Sequence, residues 1–519
     1  MRSIPPAGSG LSWQGKAERA ARHPYLVLTV VSVAVLLSAL DLTVVTTILP
    51  QVIFDLRLPI TKLDQAAWII TAYLLAYTAT MPLMGRVSDL YGRRIVFAVA
   101  LALFLAGSVL CAVSDSLIYL ILARVVQALG GGAMVPVSMA IVGDVFPEER
   151  RGTALGIIGA VDTAGWVIGP LYGALLSQAL GTWRWIFWIN LPLGAIALIL
   201  VLMVVSNRRP VLTGRGIDAV GAVIFAAMLA ALNLGLSSHQ PAAGAAASSP
   251  FAQETSILPG LMIPLLAAAA ALLGLFIFVE WRNRMPMVDL GMFRSVSFSA
   301  ANFGNLLVGA ALILAMVYVP VFVTVKGGAP MESALAVMPL TLAMLFGALL
   351  GGVLSDRVGR RTVAVAGIIL SSAAFTLMHL WTPDVSPAVM ARDLLFCGLG
   401  FGLVIAPVGV AVIDSVRSTH YGIASAMVII MRLVGMTAGL SAVTGWALLR
   451  INELLSKVPA ISQNQGETLQ QFQYRFANYY WQASVKITVM ILNDVFLLAA
   501  LLLAVAVVPA FLIARRRAR

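Results

Sequence analysis

Gly85-Arg-Val-Ser-Asp89-Leu-Tyr-Gly92-Arg93-Arg94 returns 267 residues later as Gly352-Val-Leu-Ser-Asp356-Arg-Val-Gly359-Arg360-Arg361, identical at six of ten positions. Each copy follows an apolar run of helix length and precedes another. A charged tight turn set twice between hydrophobic spans predicts a duplicated membrane bundle. Duplication of this kind is typical of secondary transporters.

The composition points the same way. Of 519 residues, 60% are hydrophobic and only 11% charged, too little polar surface for a soluble domain of this length. The apolar residues fall into runs of about 20, roughly what a helix needs to cross a bilayer core. The hydropathy pattern predicts fourteen spans: 25–50, 66–84, 95–113, 117–142, 152–180, 186–206, 217–236, 258–281, 297–324, 332–354, 362–381, 390–413, 420–449 and 486–513.

The net charge of +12 does not indicate nucleic acid, because its distribution tracks topology. With these spans, 23 of the 34 Lys and Arg fall on the side holding both termini, including Arg2, Lys16, Arg19, Arg22, Arg515, Arg516, Arg517 and Arg519. Positive charge stays inside, so both termini are expected in the cytoplasm of a bacterial plasma (inner) membrane. The first 24 residues are polar, and no cleavable signal is evident. Cys111 and Cys397 sit in separate spans, which argues against a disulfide and, with no ligand cluster, against a metal.

Six-span halves need about 200 residues each by the spacing of the spans, yet the turn recurs after 267, so one helix pair is inserted. The expected order is a cytoplasmic tail (1–24), a six-helix bundle (25–206) and a linker with two inserted helices (207–296). A second six-helix bundle (297–513) and a basic tail (514–519) complete it. The fold class is thus an all-α polytopic membrane protein of two pseudo-symmetric bundles plus two extra helices. Between the inserted helices, Ser237–Ser256 is small-residue-rich and polar. The only long hydrophilic loop, 450–485, is extracytoplasmic in this topology. Leu469, Phe472, Phe476, Tyr479 and Ala483 in it follow helical spacing, and no Pro or Gly interrupts the run from Thr468. The last span should begin as an amphipathic helix outside the membrane; the alternative is an interfacial aromatic belt with a frayed loop.

An ionisable group at bilayer depth costs several kcal/mol unless paired or hydrated. Asp41 and Arg124 come out at roughly 24 and 20 Å from the cytoplasmic side, near enough in depth to pair. Asp162 and Arg432, at roughly 15 and 18 Å, are 270 residues apart, and each is followed at +3 and +7 by glycine: Gly165 and Gly169, Gly435 and Gly439. The same helix of each half would then carry opposite charges on its glycine face, and these should meet across the pseudo-two-fold axis. A static pair that only orients helices is the plainer alternative in both cases. Asp494, beside Asn493, is a weaker candidate for which packing is the simpler reading. In the fifth span Gly165, Gly169 and Gly173 make a smooth stripe, with Pro170 loosening the backbone.

The repeated turn resembles the cytoplasmic loop motif of the major facilitator superfamily. Leu40-Asp41-x6-Leu49-Pro50 and Arg124-Val-Val-Gln127-Ala-Leu-Gly130 resemble the first- and fourth-span motifs of its drug:proton antiporters, and Gly165–Gly173 their antiporter motif. Trp183-Arg184-Trp185-Ile-Phe-Trp188-Ile-Asn190-x-Pro192 is typical of the fourteen-span branch. Gly169–Gly173, Gly398–Pro407, Tyr421–Ala426, Arg432–Met436 and Trp446 resemble that branch's mycobacterial lipid-exporting efflux pumps. The resemblance implies a proton-coupled exporter of triacylglycerides or similar lipophilic compounds, with Asp41 and an interbundle acid–Arg pair as coupling elements. It also implies that Asp89, Arg93, Arg94, Asp356, Arg360 and Arg361 latch the cytoplasmic ends of neighbouring helices. One departure is Leu90, where the family has a basic residue, which the second copy keeps as Arg357. Asp89 and Asp356 are expected at a helix start, where an acid complements the dipole.

No phosphate-binding Gly-x4-Gly-Lys-Ser/Thr loop is present, so energy should come from an ion gradient and no bound cofactor is expected. The four histidines, His23, His239, His379 and His420, are scattered, and no Ser/His/Asp constellation argues for an enzyme. Export of cationic or amphiphilic drugs is the alternative to lipid export, and a non-transporting receptor or scaffold a remoter one. The expected partners are the bilayer, a hydrophobic substrate and an extracytoplasmic lipid-carrier lipoprotein, with the chain itself a monomer.

Overall fold

The computed structural model describes residues 24–56, 68–206, 218–237, 261–283, 286, 288–327, 332, 335–417, 420–459 and 468–513. The basic tails, most of Ser237–Ser256 and the middle of the 450–485 loop lie outside the described residues. Among those described there are fourteen long α-helices, a short 3-10 turn at Leu290–Arg294 and no strand. The helices of the first part are α1 (Pro24–Asp55), α2 (Trp68–Tyr91), α3 (Arg93–Ala112), α4 (Leu117–Val145), α5 (Glu148–Leu180) and α6 (Arg184–Val204). Next come α7 (Ala219–Ser237) and α8 (Met262–Arg282). The rest are α9 (Val296–Val325), α10 (Met338–Arg357), α11 (Arg360–Met378), α12 (Pro387–Ile413), α13 (Tyr421–Ser456) and α14 (Leu469–Leu512). Among the described residues, twelve helices are long and apolar enough to cross a membrane, and α7 contributes the shorter apolar stretch Val220–Leu236.

Local chemistry explains the breaks. The repeated turn is a one- or two-residue interruption rather than a loop: α2 ends at Tyr91 and α3 begins at Arg93, with Gly92 between them at φ 98°. Gly359 repeats this before α11 at φ 107°. A side chain at either position would strain the backbone, which is why both copies keep glycine there. Pro147 precedes α5, whose first turn carries Glu148 and Glu149 toward the positive helix end. Thr468 and Gln471 form a reciprocal capping box that starts α14, and the helix then runs 44 residues to Leu512.

The helical edges differ from the hydropathy boundaries where charge follows the apolar run. α13 continues to Ser456 and α14 begins at Leu469, so much of what sequence treats as the 450–485 loop is helix. Hydropathy marks where apolar residues stop, whereas backbone hydrogen bonds continue until a breaker intervenes.

The chain divides into two compact units. The first holds the described residues up to Leu229 together with Leu272–Phe298 and Gly409–Ile429; the second holds Ala230–Ala271, Ser299–Val408 and the described residues from Ile430 onward. The first unit thus takes in the end of α12 and the start of α13. Within it α1 packs on α5, α3 on α4 and α6, and α2 on α4. Within the second, α11 packs on α14.

Candidate functional site

The inner site of the first unit is built around Asp41, midway along α1 and 2% exposed. Arg124, fully buried on α4, donates from Nη1 to Asp41 Oδ2 at 2.5 Å and from Nη2 to the Asp41 carbonyl at 3.3 Å. Gln127, one turn further on, accepts from Arg124 Nη1 at 2.8 Å. Its amide nitrogen donates to Asp41 Oδ1 at 2.9 Å and to Ser108 Oγ on α3 at 2.8 Å. Asn190 on α6 reaches the same two acceptors at 3.4 and 3.3 Å. The carboxylate is therefore held by one charge and two amides from two helices, α4 and α6. A buried pair is tolerable only when its remaining polar atoms are satisfied in this way. The Asp41–Arg124 pairing expected from their depths is present. Gln127 and Asn190 stood in the quoted motifs without an assigned role, and Ser108 carries no sequence signal at all.

Asp162 is 8% exposed on α5. The glycines one and two turns beyond it hold α5 against α1: a Cβ on Gly165 would run into Ala39 and Leu40, and one on Gly169 into Leu40 and Thr43. Gly173 extends the stripe and is buried, and α5 passes through Pro170 without a break. In the second unit Arg432 is half-buried on α13, and Gly435 and Gly439 hold that helix against Leu306 and Ala310 of α9. Leu306 and Ala310 lie 267 residues after Ala39 and Thr43, so each unit builds the same glycine-mediated helix pair. Asp494 is half-buried on α14. Its neighbour Asn493 serves packing: its amide donates to the Trp381 carbonyl at 2.8 Å, and its own carbonyl lies 2.8 Å from His379 Nδ1.

The first copy of the repeated turn is an elaborate contact. Asp89 does not sit at the start of a helix, as expected from sequence, but in the last turn of α2, and Asp356 likewise near the end of α10. The helix start that Asp89 complements belongs to α13. Its two oxygens accept from the Gly422 N–H at 3.0 and 3.1 Å, and Oδ2 also from the Ile423 N–H at 3.3 Å. An acid at its own helix's negative end is unfavourable, and these foreign N–H groups together with Arg93, at 3.3 Å, offset that. Gly85 and Gly422 allow the approach: a Cβ on Gly422 would stand 2.7 Å from Ser88 Oγ and 2.9 Å from the Gly85 carbonyl carbon.

Arg93 also pairs with Asp144 and donates to the Ala140 carbonyl of α4. Arg151 pairs with Asp414 and donates to the Gly143 carbonyl at 3.0 Å. The Tyr421 ring lies 5.5 Å from the Arg93 guanidinium and 5.6 Å from that of Arg151. Arg94 donates to the Leu202 carbonyl near the end of α6, and Arg361 to the Ile513 carbonyl closing α14 at 3.0 Å. The second arginine of each turn thus ties the end of another helix, α6 in the first copy and α14 in the second. Leu90 is buried and Arg357 exposed, so the departure at position 90 matches a site with no room in water for a charge. Asp144, Arg151, Asp414 and Gly422 were not singled out from sequence. A signal existed: Asp144-x7-Gly152-x-Ala154 recurs as Asp414-x7-Gly422-x-Ala424, again 270 residues on.

At the opposite end of α1, Asp55 accepts from the Trp183 indole N–H at 3.1 Å and pairs with Arg184. The Arg184 guanidinium holds this carboxyl below the usual carboxylate range. A depressed value means that the clasp stabilises the fold above about pH 4, the unfolded value, and is lost as pH falls through the folded one. Thermal unfolding of the wild type and of Asp55→Asn should therefore differ most near neutrality and converge on acidification. An undiminished gap in acid would rule out the charge pairing as its source.

Among the described residues no group of three His, Cys, Asp or Glu is placed to hold a metal. A family model described as Major Facilitator Superfamily matches residues 31–440. A triacylglyceride transporter of Mycolicibacterium smegmatis is 33% identical over 504 residues, covering 93% of this chain and 86% of the relative. A probable triacylglyceride transporter of Mycobacterium leprae is 32% identical, covering 94% and 95%. Among solved structures, a human organic anion transporter superposes with TM-score 0.57 at 17% identity, covering 92% of this chain and 99% of its own. A proton:xylose symporter bound to 6-bromo-6-deoxy-D-glucose gives 0.59 at 15%, covering 92% and 95%. These last two establish the likeness of fold alone.

Proposed function

We propose, from the premise that the chain belongs to the Major Facilitator Superfamily, that it is a proton-coupled exporter of bulky hydrophobic molecules, triacylglycerides first among them. The family and the transporter-named relatives make the protein a multi-pass membrane transporter and not an enzyme. The finer reading rests above all on the buried Asp41–Arg124 pair with its two amide ligands. A proton arriving from the extracytoplasmic side adds to an Asp41 oxygen and breaks the ion pair to Arg124. Its later release to the cytoplasm restores the pair. One such cycle biases the two units between alternate arrangements by the strength of that bond.

Asp162 and Arg432, each on the glycine face of its helix, are assigned to the same coupling. Asp89, Arg93, Arg94 and their counterparts Asp356, Arg360 and Arg361 are assigned to the cytoplasmic gate. The names of the relatives support a triacylglyceride substrate, as does a paired rather than free inner acid, since a free carboxylate would suit a cationic drug better. The 44-residue α14 spans about 66 Å, twice a bilayer core, and its aromatic first turns would hand lipid to an extracytoplasmic carrier lipoprotein. In this reading all fourteen helices cross a bacterial inner membrane as two six-helix bundles plus an inserted pair. Both termini are cytoplasmic, the chain acts as a monomer, and the proton gradient replaces any bound cofactor.

The test is transport by purified protein in proteoliposomes under an imposed pH gradient. Labelled triacylglyceride should move in response to the gradient, and the response should vanish in Asp41→Asn. Transport of a cationic dye in its place would overturn the substrate, and a response unchanged in the variant would overturn the coupling site.

A further inference from the structure

Arg124 has a neighbour that the coupling cycle has not used. Tyr73, on α2 and 1% exposed, lies with its ring under the Arg124 guanidinium, 3.8 Å from carbon to ring centroid. The other cation–ring approaches among the described residues run from 4.6 to 5.9 Å, including Phe187 at 5.9 Å from the same guanidinium. Arg124 is fully buried, and its Nε is buried without a hydrogen bond, so the face of the group matters as much as its edge. The ring is locked. It stacks on Tyr77 at 5.8 Å, and its hydroxyl occupies the space beside Gly131 that a Cβ would fill, 2.9 Å away.

We infer that Tyr73 is a positioning residue of the coupling site: its ring face holds the Arg124 charge while Asp41 carries a proton. This rests on the reading that Asp41 takes up the coupled proton. When it does, Arg124 loses its counter-charge in a place that water does not reach. Gln127 and the Asp41 carbonyl still accept from it, but both are neutral. A ring face attracts a desolvated guanidinium, and a phenol, with its ordinary value near 10, does not lose that attraction across the working range. The ring is worth more once the carboxylate no longer pulls the guanidinium to one side, so it favours the proton-loaded state. The other titratable groups facing Asp41 are Cys111 from α3, Tyr172 from α5 and the Tyr73 hydroxyl itself, with Tyr77 behind Tyr73 on α2; α6 presents the neutral Asn190.

The experiment follows the carbonyl stretch of protonated Asp41 by infrared difference spectroscopy, with Asp41→Asn identifying the band. Readings are taken on wild type, Tyr73→Phe, Tyr73→Leu and a chain with pentafluorophenylalanine at position 73. The fluorinated ring keeps the shape and reverses the face charge, which covers the case where the leucine variant does not fold. Tyr73→Phe keeps the ring face and loses a hydroxyl that faces the Asp41 carboxylate, so it should not titrate below wild type. The leucine and fluorinated chains should titrate about one pH unit lower, a tenfold rise in the proton concentration required. A downward shift in Tyr73→Phe as large as in the fluorinated chain would assign the effect to the hydroxyl and overturn the inference. So would an unshifted fluorinated chain. A wild type with no titrating Asp41 band would sink the coupling reading itself, and this inference with it.

Discussion

Arg124→Ala is expected to destabilise the first unit by about 3–5 kcal/mol near neutral pH, the cost of leaving one partner of a buried pair without the other. Asp41 would keep Gln127 and Asn190 as donors but lose the only charge bonded to it among the described residues. The loss should carry a signature. In acid the stranded carboxyl takes a proton and becomes an acceptable buried group, so the penalty is small there and grows as pH rises. The double change Asp41→Asn with Arg124→Gln removes both charges and should recover much of the stability, since neutral amides can share the network of Gln127 and Ser108. It should not recover a transport response to a pH gradient. Thermal unfolding across pH for Asp41→Asn, Arg124→Gln and the double closes the cycle, and a coupling energy near zero would mean that the pair is ornamental.

Asp89→Ala should loosen the first turn of α13. Hydrogen bonds to a charged group are worth about 1.5–3 kcal/mol each way of counting, and here one buried carboxylate serves two backbone N–H groups. Amide exchange at Gly422 and Ile423 should accelerate by about 10–100-fold, at roughly 1.4 kcal/mol per decade. Gly422→Ala should give a comparable loss by another route, because its methyl cannot fit beside Ser88 Oγ and the Gly85 carbonyl unless α2 and α13 separate. Asp356→Ala should leave exchange at Gly422 and Ile423 unchanged, since the donors there are bonded to Asp89. Unaltered exchange in both Asp89→Ala and Gly422→Ala would mean that this contact does not hold the start of α13.

Much of this was legible before any coordinates. The positions of the helices follow from runs of apolar residues, the break at Gly92 from its repetition at Gly359, and the helical start of the last span from the uninterrupted run after Thr468. The depths of Asp41 and Arg124 made their pairing foreseeable, since two opposite charges at one level in oil have little choice. Ser108 was invisible because serines are unremarkable in any helix, and only the angle at which α3 meets α4 brings it to Gln127. Asp89 was misplaced for a related reason: an acid near glycine and arginines looks like a cap, but sequence does not say of which helix.

Composition, periodicity and the 267-residue echo determined by themselves that this is a helical membrane protein with a repeated turn and a few costly charges at depth. Those properties depend on each residue's own cost of leaving water, which is a local quantity. Which donors surround Asp41, whose first turn Asp89 completes, and that an aromatic face lies beneath Arg124 were decided only by the packing of helices far apart in the chain. Hydrogen bonds and cation–ring contacts act over a few ångströms, so they are set by how helices cross rather than by the order in which residues occur.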